Sequence, residues 1–426
     1  MNPIQRKLKA KTPGNEANAE VQAFYDLHPY PPPVSDLDPY RQLWQNGDRL
    51  RVDYHLHWPG MGYRDDLEIL VAGCGTSQAA RHAIRQPATR VTGIDISATS
   101  LRHTRELKRK YKLNNLSVQE LPIERVGELG QQFDKIICTG VLHHLSDPDV
   151  GLQALREVLK PEGAMHLMVY AAYGRTGIYM LQDYARRLGI IPSEPEIKDL
   201  IAVLKELPRG HALDYLLRES PDFRNPDALA DALLNPRDRA YTVPQLFEYL
   251  GRCGMVFGRW LRQAPYLPQC GVLAQTPHAA RLLTLPEYEQ YAAVELFRGT
   301  ISRHSFTAYR DDCSLEQHAI RFDGDAWKNY VPILQPRLVC IEKQLPPGAA
   351  AVLINQDHVD TDLIHPINPF EKDLFDGIDG HKTIAEITNS KATLPNNNLE
   401  LENARGFFER LWYYDHVVFD ASKSIK

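Results

Sequence analysis

Ile69-Leu-Val-Ala-Gly-Cys-Gly-Thr-Ser77 joins an apolar run to two closely spaced glycines and then to the start of a helical pattern. The apolar run predicts a buried strand, and glycine suits a backbone that must turn tightly and approach a ligand without a Cβ in the way. A second apolar run, Val91-Thr-Gly-Ile-Asp95, ends in a carboxylate at an interval typical of nucleotide-binding folds. An acid there can accept hydrogen bonds from both hydroxyls of a ribose. The two runs together predict a nucleotide-binding strand–helix–strand unit.

Outward from this unit, short apolar runs alternate with longer amphipathic stretches. Candidate helices lie near 77–86, 98–112 and 149–160, and the apolar runs are Leu67–Ala72, Arg90–Ile96, Leu116–Leu121, Phe133–Thr139 and Gly163–Tyr170. Such alternation is typical of an α/β fold with a mostly parallel sheet covered by helices on both faces. Asp147-Pro-Asp149 predicts the start of the third helix, and Lys160-Pro-Glu-Gly163 predicts the turn into the fifth strand.

The rest of the chain divides by changes in pattern. Residues 175–240 look helical and predict an insertion after the fifth strand, followed by a helix at Val243–Cys253, a strand at Val256–Leu261 and a last edge strand at Phe306–Arg310. The first 66 residues look irregular. The predicted division is an N-terminal segment or lid (1–66), a main domain (67–312) with the helical insertion (175–240), a β-rich linker region (313–367) and a small winged-helix-like accessory domain (368–426).

Composition narrows the class of protein. The chain has 426 residues, of which 43% are hydrophobic and 24% charged, an ordinary globular balance for two to three domains. Its net charge of −5 supplies no cationic field for nucleic acid, and no run of 18 apolar residues predicts a membrane span. The six scattered cysteines form no C-x-x-C pair, so we expect reduced thiols, no metal site and a cytoplasmic protein.

Binding of NAD is one alternative for the glycine loop. The dinucleotide fingerprint needs a third glycine three positions after the second, and that position holds Gln78. The sequence also has no H-E-x-x-H, G-x-S-x-G or P-loop lysine motif, which excludes the hydrolase and nucleotide triphosphatase patterns.

Four motifs in order resemble a Rossmann-like class I S-adenosylmethionine-dependent methyltransferase. They are Gly73-Cys-Gly75, Gly93-Ile-Asp95-Ile-Ser97, the fourth-strand segment from Phe133 to His144, and Leu159-Lys-Pro-Glu-Gly163. The chain departs from the family at Val71, where an acid is common, and at Ser77, where a third glycine is common. The resemblance implies S-adenosylmethionine as cofactor and methyl transfer to an N or O nucleophile of a small metabolite or of a protein or peptide side chain. A non-catalytic cofactor-sensing or scaffold module is the alternative.

The resemblance also implies positions for the cofactor. The methionine part would contact the glycine loop, Asp95 would hold the ribose, and Ile96 would lie beside the adenine. The implied cofactor residues are Ala72, Gly73, Gly75, Asp95, Ile96, Gln119, Glu120, Leu121 and Thr139.

The acceptor side depends on residues outside the glycine loop. His143 and His144 follow the fourth strand, and at most one of them would face the methyl group as a base, because adjacent side chains point in different directions. The alternative is that both only fix their own turn. Tyrosines and arginines flank the region, and the arginines would suit an anionic acceptor. The candidate substrate residues are Tyr25, Tyr30, Tyr173, Arg175, Tyr179 and Arg239, with Arg237 beside them. DNA amino-methyltransferases carry an Asn/Asp-Pro-Pro-Tyr motif after the fourth strand, whereas this sequence has Thr139-Gly-Val-Leu142 there. This difference argues against a DNA amino-methyltransferase.

The C-terminal region has its own helix signals. Thr383-Ile-Ala-Glu386 has the spacing of a capping box, Leu399–Tyr414 predicts a longer helix, and His416–Phe419 predicts a closing strand. The net charge of residues 361–426 is −4, the wrong sign for phosphate contacts. We therefore expect no nucleic-acid or membrane partner, and a role in packing, homodimer formation or docking of a protein substrate.

Replacing the acid after the second strand tests the nucleotide assignment. Asp95→Ala should weaken binding of S-adenosylmethionine by about 1.5–3 kcal/mol, because a charge-assisted hydrogen bond to the ribose is lost. Calorimetric titration measures the affinity, and circular dichroism checks that the variant is folded. A folded variant with unchanged affinity would refute the ribose assignment.

Overall fold

The computed structural model describes residues 13–219, 223, 225–314, 318–390 and 398–424. Its strands are β1 (Glu68–Ala72), β2 (Arg90–Asp95), β3 (Leu116–Glu120), β4 (Phe133–Thr139), β5 (Leu159–Ala171), β6 (Ala240–Tyr241), β7 (Met255–Trp260), β8 (Arg303–Arg310), β9 (Val331–Leu334), β10 (Leu338–Ile341), β11 (Ala351–Asn355), β12 (Ile364–Ile367) and β13 (Val417–Asp420). Its helices are α1 (Pro13–Leu27), α2 (Asp38–Leu43), α3 (Gly47–His55), α4 (Gln78–Arg85), α5 (Ala98–Tyr111), α6 (Pro148–Val158), α7 (Thr176–Leu188), α8 (Glu194–Lys205), α9 (Asp214–Glu219), α10 (Pro226–Leu234), α11 (Val243–Arg252), α12 (Ala279–Leu282), α13 (Glu287–Arg298), α14 (Pro369–Phe375), α15 (Ile384–Asn389) and α16 (Asn398–Tyr413). No helix among these is long and apolar enough to cross a membrane.

The main sheet has the order β3-β2-β1-β4-β5-β8-β7, with β6 paired to β5. Strands β1 to β6 are paired in parallel, whereas β8 runs antiparallel to both β5 and β7. The predicted α/β fold with helices on the sheet is confirmed, and so is the helical insertion after the fifth strand, which forms α7 to α10. The edge position predicted for Phe306–Arg310 is wrong, because these residues lie in β8 between two partners and β7 forms the edge. A short apolar run does not reveal how many neighbours its strand will have.

The turn before β5 differs from its prediction. Asp147 caps α6 as expected, since its carboxylate accepts hydrogen bonds from the backbone of Asp149 and Val150. Strand β5, however, already begins at Leu159, and its register with β4 shifts before Ala164. The Lys160–Gly163 stretch is therefore an irregular strand start rather than a separate turn.

The N-terminal residues form helices that the sequence pattern did not reveal. In α3, the Asp53 carboxylate lies 2.8 Å from Arg85 Nη2 and 3.0 Å from Lys135 Nζ, which is fully buried in β4. Burial alone would raise the pKa of Asp53, but the Arg85 and Lys135 charges hold that pKa well below its usual range. Burial lowers the pKa of Lys135 to about 8. Arg85 and Lys135, which hold α3 in place, are distant from it in sequence. The pattern of residues within α3 therefore does not predict these contacts.

The C-terminal half of the chain has its own hydrophobic core. Strand β13 pairs with β9, and β10, β11 and β12 form a second small sheet. Thr383 and Glu386 form the predicted capping box at the start of α15. The core side chains include Ile333 and Leu353 from the proposed linker region, together with Ile387 and Phe408 from the helices. The domain boundaries and the winged-helix-like description stay predictions.

Asp415 joins this C-terminal core to the main sheet. Its carboxylate accepts a hydrogen bond from Arg259 Nη2 in β7 at 2.8 Å, and from the backbone N–H groups of Gln263 and Ala264 at 2.8 and 3.1 Å. Only 1% of Asp415 is exposed to solvent. A buried carboxylate with a charged partner and two backbone donors fixes the relative position of the two parts.

Asp415→Ala should therefore destabilise the protein strongly. Removing one partner of a buried ion pair leaves the Arg259 charge uncompensated, which costs about 3–5 kcal/mol. Urea denaturation gives the change in the free energy of unfolding, with the exposed Asp373→Ala as control. Equal unfolding midpoints for the two variants would show that Asp415 does not anchor the C-terminal core.

Candidate active site at the carboxyl edge of the sheet

The glycine loop between β1 and α4 has a backbone that only glycine adopts comfortably. Gly73 has φ = +69° and Gly75 has φ = +53°. A Cβ on Gly73 would overlap the side chain of Val141, and one on Gly75 would lie 3.0 Å from the carbonyl oxygen of Tyr30. Both glycines line the main cavity of the described structure. The loop is therefore shaped for close approach of a ligand to backbone.

Asp95 fixes this loop from the end of β2. The backbone N–H of Gly75 donates to Asp95 Oδ2 at 2.8 Å, and the backbone N–H of Ser97 donates to Oδ1 at 2.9 Å. The Thr104 hydroxyl donates to the carbonyl oxygen of Gly75 at 2.9 Å. Burial raises the pKa of Asp95, and the backbone donors oppose that rise. Both polar groups of the Gly75 backbone are thus satisfied by the protein itself.

The last turn of α1 and the segment after it lie against the glycine loop. The Thr76 hydroxyl donates to the carbonyl oxygen of Pro31 at 2.8 Å, and the Ser97 hydroxyl donates to Asp26 Oδ1 at 2.7 Å. Tyr30 and Pro31 line the cavity together with the glycine loop. The N-terminal segment therefore lies against the glycine loop, and its role as a lid stays a prediction.

The cavity has a volume of about 860 Å³ and runs along the carboxyl edge of the sheet. The pairing of the strands shows the direction in which the cavity runs. Thr139 in β4 is paired with Met168 in β5, and Met168 is paired with Ser305 in β8. All three residues line the cavity. In parallel α/β sheets, ligands bind outside the carboxyl ends of the strands. The far end of the cavity is lined by Leu261, Arg262, Tyr266, Arg303, Val359 and Asp360.

Six of the implied cofactor residues meet at one end of this cavity: Gly73, Gly75, Asp95, Ile96, Leu121 and Thr139. The other three do not line it. Ala72 is fully buried in the core, and Gln119 and Glu120 are exposed on the edge strand β3. Of the three residues implied for the adenine edge, only Leu121 therefore reaches the cavity.

Two polar residues at this end were not predicted as cofactor residues. The Gln78 amide donates to the Thr139 hydroxyl oxygen at 2.8 Å across the cavity. The buried Ser77 hydroxyl has no hydrogen-bond partner within the described residues. In the sequence, the only sign that Ser77 and Gln78 belong to this end of the cavity is that they directly follow the glycine loop. S-adenosylmethionine fits this end of the cavity. The Asp95 carboxylate suits the ribose hydroxyls, the apolar lining suits the adenine, and the unpartnered Ser77 hydroxyl suits the methionine carboxylate.

The two histidines after β4 have different surroundings. His144 Nδ1 lies 2.5 Å from the carbonyl oxygen of Arg237. A carbonyl only accepts, so Nδ1 carries the hydrogen and Nε2 of the neutral ring is a proton acceptor. Nε2 is buried without a partner in the described structure, and His144 lines the cavity. His143 is fully buried, does not line the cavity, and has its pKa lowered by burial and by the neighbouring His144 and Arg175.

A buried carboxylate stands on the acceptor side. Asp231 in α10 accepts hydrogen bonds from the hydroxyl of Tyr25 at 2.8 Å, the amide of Asn235 at 3.0 Å and the hydroxyl of Tyr170 at 3.3 Å. Burial and the Asp231 charge raise the pKa of both tyrosines, so they remain protonated donors. The sequence analysis missed Asp231. The only signal in the sequence was an acid among the alanines and leucines of α10.

Arg175 is engaged within the protein. Its Nη2 lies 2.8 Å from Asp238 Oδ2, and its guanidinium carbon lies 3.4 Å from the ring centre of Tyr170. The Arg175 charge is therefore already compensated within the protein, so Arg175 is not available to an anionic acceptor. Of the candidate substrate residues, Tyr25, Tyr30 and Arg175 line the cavity, whereas Tyr173, Tyr179 and Arg239 do not.

Comparison with known proteins defines the class. The methyltransferase domain family matches residues 70–165. A ubiquinone biosynthesis O-methyltransferase of Chelativorans sp. (strain BNC1) is 30% identical over 223 residues, which cover 51% of this chain and 75% of that protein. An uncharacterized protein of Synechococcus sp. (strain ATCC 27144) is 29% identical and covers 67% of this chain and 70% of its own. The protein is thus a class I S-adenosylmethionine-dependent methyltransferase.

Solved structures show the same fold. PKMT2 from Rickettsia typhi has a TM-score of 0.64 and 16% identity, covering 92% of this chain and 77% of its own. Its complex with AdoHcy, S-adenosylhomocysteine, has a TM-score of 0.62 and 15% identity, covering 88% and 76%. At these identities the two structures show the shared fold. The family, and with it S-adenosylmethionine as methyl donor, comes from the sequence relatives.

Gly73→Val should abolish binding of S-adenosylhomocysteine. The branched side chain would overlap Val141 and would need a positive φ that valine rarely adopts. Gly127→Val is the control, because a Cβ at Gly127 has no atom within 4 Å. Calorimetry measures the affinity and thermal unfolding checks the fold. Normal binding by a folded Gly73→Val variant would mean that the loop does not contact the ligand.

Proposed function

We propose that the protein transfers a methyl group to an N or O nucleophile of a small metabolite or of a protein side chain. The observation that carries this proposal is the continuity of the cavity, which joins the glycine loop and Asp95 to His144, Tyr25 and Asp231. A donor and an acceptor would therefore occupy one continuous cavity. Alignment of the two is the main contribution that methyl transfer requires from a protein.

The cofactor end supports this proposal residue by residue. Asp95 would hold the ribose, Ile96 and Leu121 would contact the adenine, and Ser77 and Gln78 would contact the methionine part. The sulfonium donor supplies an activated methyl group, which the acceptor lone pair takes as the carbon–sulfur electron pair moves to sulfur. Asp95 and Thr104 already hold the glycine loop by hydrogen bonds, so the loop would lose little conformational entropy when the donor binds.

His144 is the residue that we propose as the base. Its Nε2 atom points its lone pair away from the Nδ1–H that binds Arg237, and it accepts a proton if the acceptor arrives protonated. His143 would act only through position, because its ring lies between His144 at 4.1 Å and Tyr170 at 3.9 Å.

Titration with S-adenosylmethionine, S-adenosylhomocysteine and NAD separates the alternatives. Binding of the first two without NAD supports a methyltransferase, whereas binding of NAD would support an oxidoreductase. A screen that follows release of S-adenosylhomocysteine over metabolite and peptide pools then finds the acceptor. Binding without turnover in every pool would favour the cofactor-sensing or scaffold alternative.

His144→Gln should reduce the rate constant kcat with the acceptor from that screen by about 10²–10⁴, since loss of a general base costs that much. Affinity for S-adenosylhomocysteine should stay within twofold, because the His144 side chain lies on the acceptor side. The exposed His278→Gln is the control. A variant that keeps its full kcat across the pH range would exclude His144 as the base.

A further inference from the structure

We infer that the methyl acceptor is an amine that enters the site as a cation and is recognised by Asp231, an inference that rests on the proposed function. Asp231 is 3% exposed and lines the cavity. Its hydrogen-bond partners in the described part of the chain, Tyr25, Tyr170 and Asn235, are all neutral. A buried carboxylate is costly unless a cation compensates it. An ammonium group in the cavity would supply that cation.

Four arginines line the cavity of the described structure, and none of them is paired with Asp231. Arg175 is paired with Asp238, and Arg262 faces Asp357 at 3.7 Å. Arg81 and Arg303 lie in α4 and β8, on other elements than the α10 helix that carries Asp231. Among the described residues, no ion pair within 4.0 Å includes Asp231. The Asp231 charge therefore stays available to a ligand.

The rest of the acceptor side suits a cation with an apolar chain. Aromatic rings attract cations placed over their faces, and alkyl chains pack against them. The aromatic side chains that line the cavity near α9 and α10 are Tyr25, Tyr30, Tyr215 and Phe223, with Ile178, Leu216 and Ala228 beside them. A carboxylate among neutral donors and aromatic rings suits an ammonium group better than an anion.

Asp231 and His144 lie on two sides of Tyr25. The Tyr25 ring centre is 6.2 Å from that of His144, and its hydroxyl is 2.8 Å from Asp231 Oδ1. An ammonium held by Asp231 can thus pass one proton to His144 Nε2, which frees the nitrogen lone pair. That lone pair forms the new bond to the methyl carbon of S-adenosylmethionine, while the carbon–sulfur bond breaks and its electron pair goes to sulfur. The methylated nitrogen keeps a positive charge, and the released proton leaves through His144 to water.

Three probes of equal chain length test the charge preference: n-hexylamine, n-hexanol and n-hexanoate. Near neutral pH they are a cation, a neutral molecule and an anion. Calorimetry on the full chain saturated with S-adenosylhomocysteine measures their binding. We expect hexylamine to bind at least tenfold more tightly than hexanol, and hexanoate not to bind. Asp231→Asn keeps an oxygen acceptor but removes the charge, so the preference for hexylamine should fall at least tenfold.

Two further variants make the result specific. Asp199→Asn is the matched control, since Asp199 is exposed on α8 of the same insertion, and it should keep the preference. If Asp231→Asn does not fold, Asp231→Glu tests the same point, because it keeps the negative charge and should keep the at least tenfold preference for hexylamine over hexanol. A folded Asp231→Glu variant without that preference would count against the assignment.

The outcomes separate the two proposals. Failure of S-adenosylhomocysteine to bind the unmodified protein would overturn the proposed function itself. If S-adenosylhomocysteine binds but hexylamine does not exceed hexanol or hexanoate, the inference about the amine is wrong while the methyltransferase stands. An equal preference in Asp231→Asn and the unmodified protein would also overturn the assignment to Asp231.

Discussion

The hydrogen bond from the Gly75 backbone to the Asp95 carboxylate is the contact around which the site is built. It joins the ends of β1 and β2, and through Ser97 it also sets the start of α5. Because the loop backbone is satisfied by Asp95 and Thr104, it holds its left-handed turns without help from a ligand. The protein thus meets its donor with a preorganised cradle, which reduces the entropy lost on binding.

The backbone features of the site are the ones that the sequence could predict. The glycine loop and Asp95 lie within a single strand–helix–strand unit, so their spacing along the chain reports their spacing in the fold. The capping boxes are equally local, and Thr383 with Glu386 was predicted for that reason. The strand order was less accessible. The internal position of β8 depends on pairing with β5 and β7, which no local pattern encodes.

The acceptor side was harder because its parts come from separate regions. Tyr25, His144 and Asp231 lie in α1, after β4 and in α10, and they meet only in the folded chain. Arg175 shows the converse problem. An arginine near a site suggests an anion on sequence grounds, but Asp238 neutralises it in the structure. Charge identity is visible in a sequence, whereas charge pairing is a property of the fold.

The Tyr25–Asp231 hydrogen bond joins residues 206 positions apart. Closing so long a loop costs entropy that only a largely formed structure can offset, so such contacts form late in folding. During synthesis, the glycine loop and its strand partners emerge well before α10. The chain can therefore assemble a place for the nucleotide first and complete the wall around the nucleophile afterwards. The end of the cavity for the methyl donor is thus complete before the acceptor side, where Tyr25 and Asp231 meet.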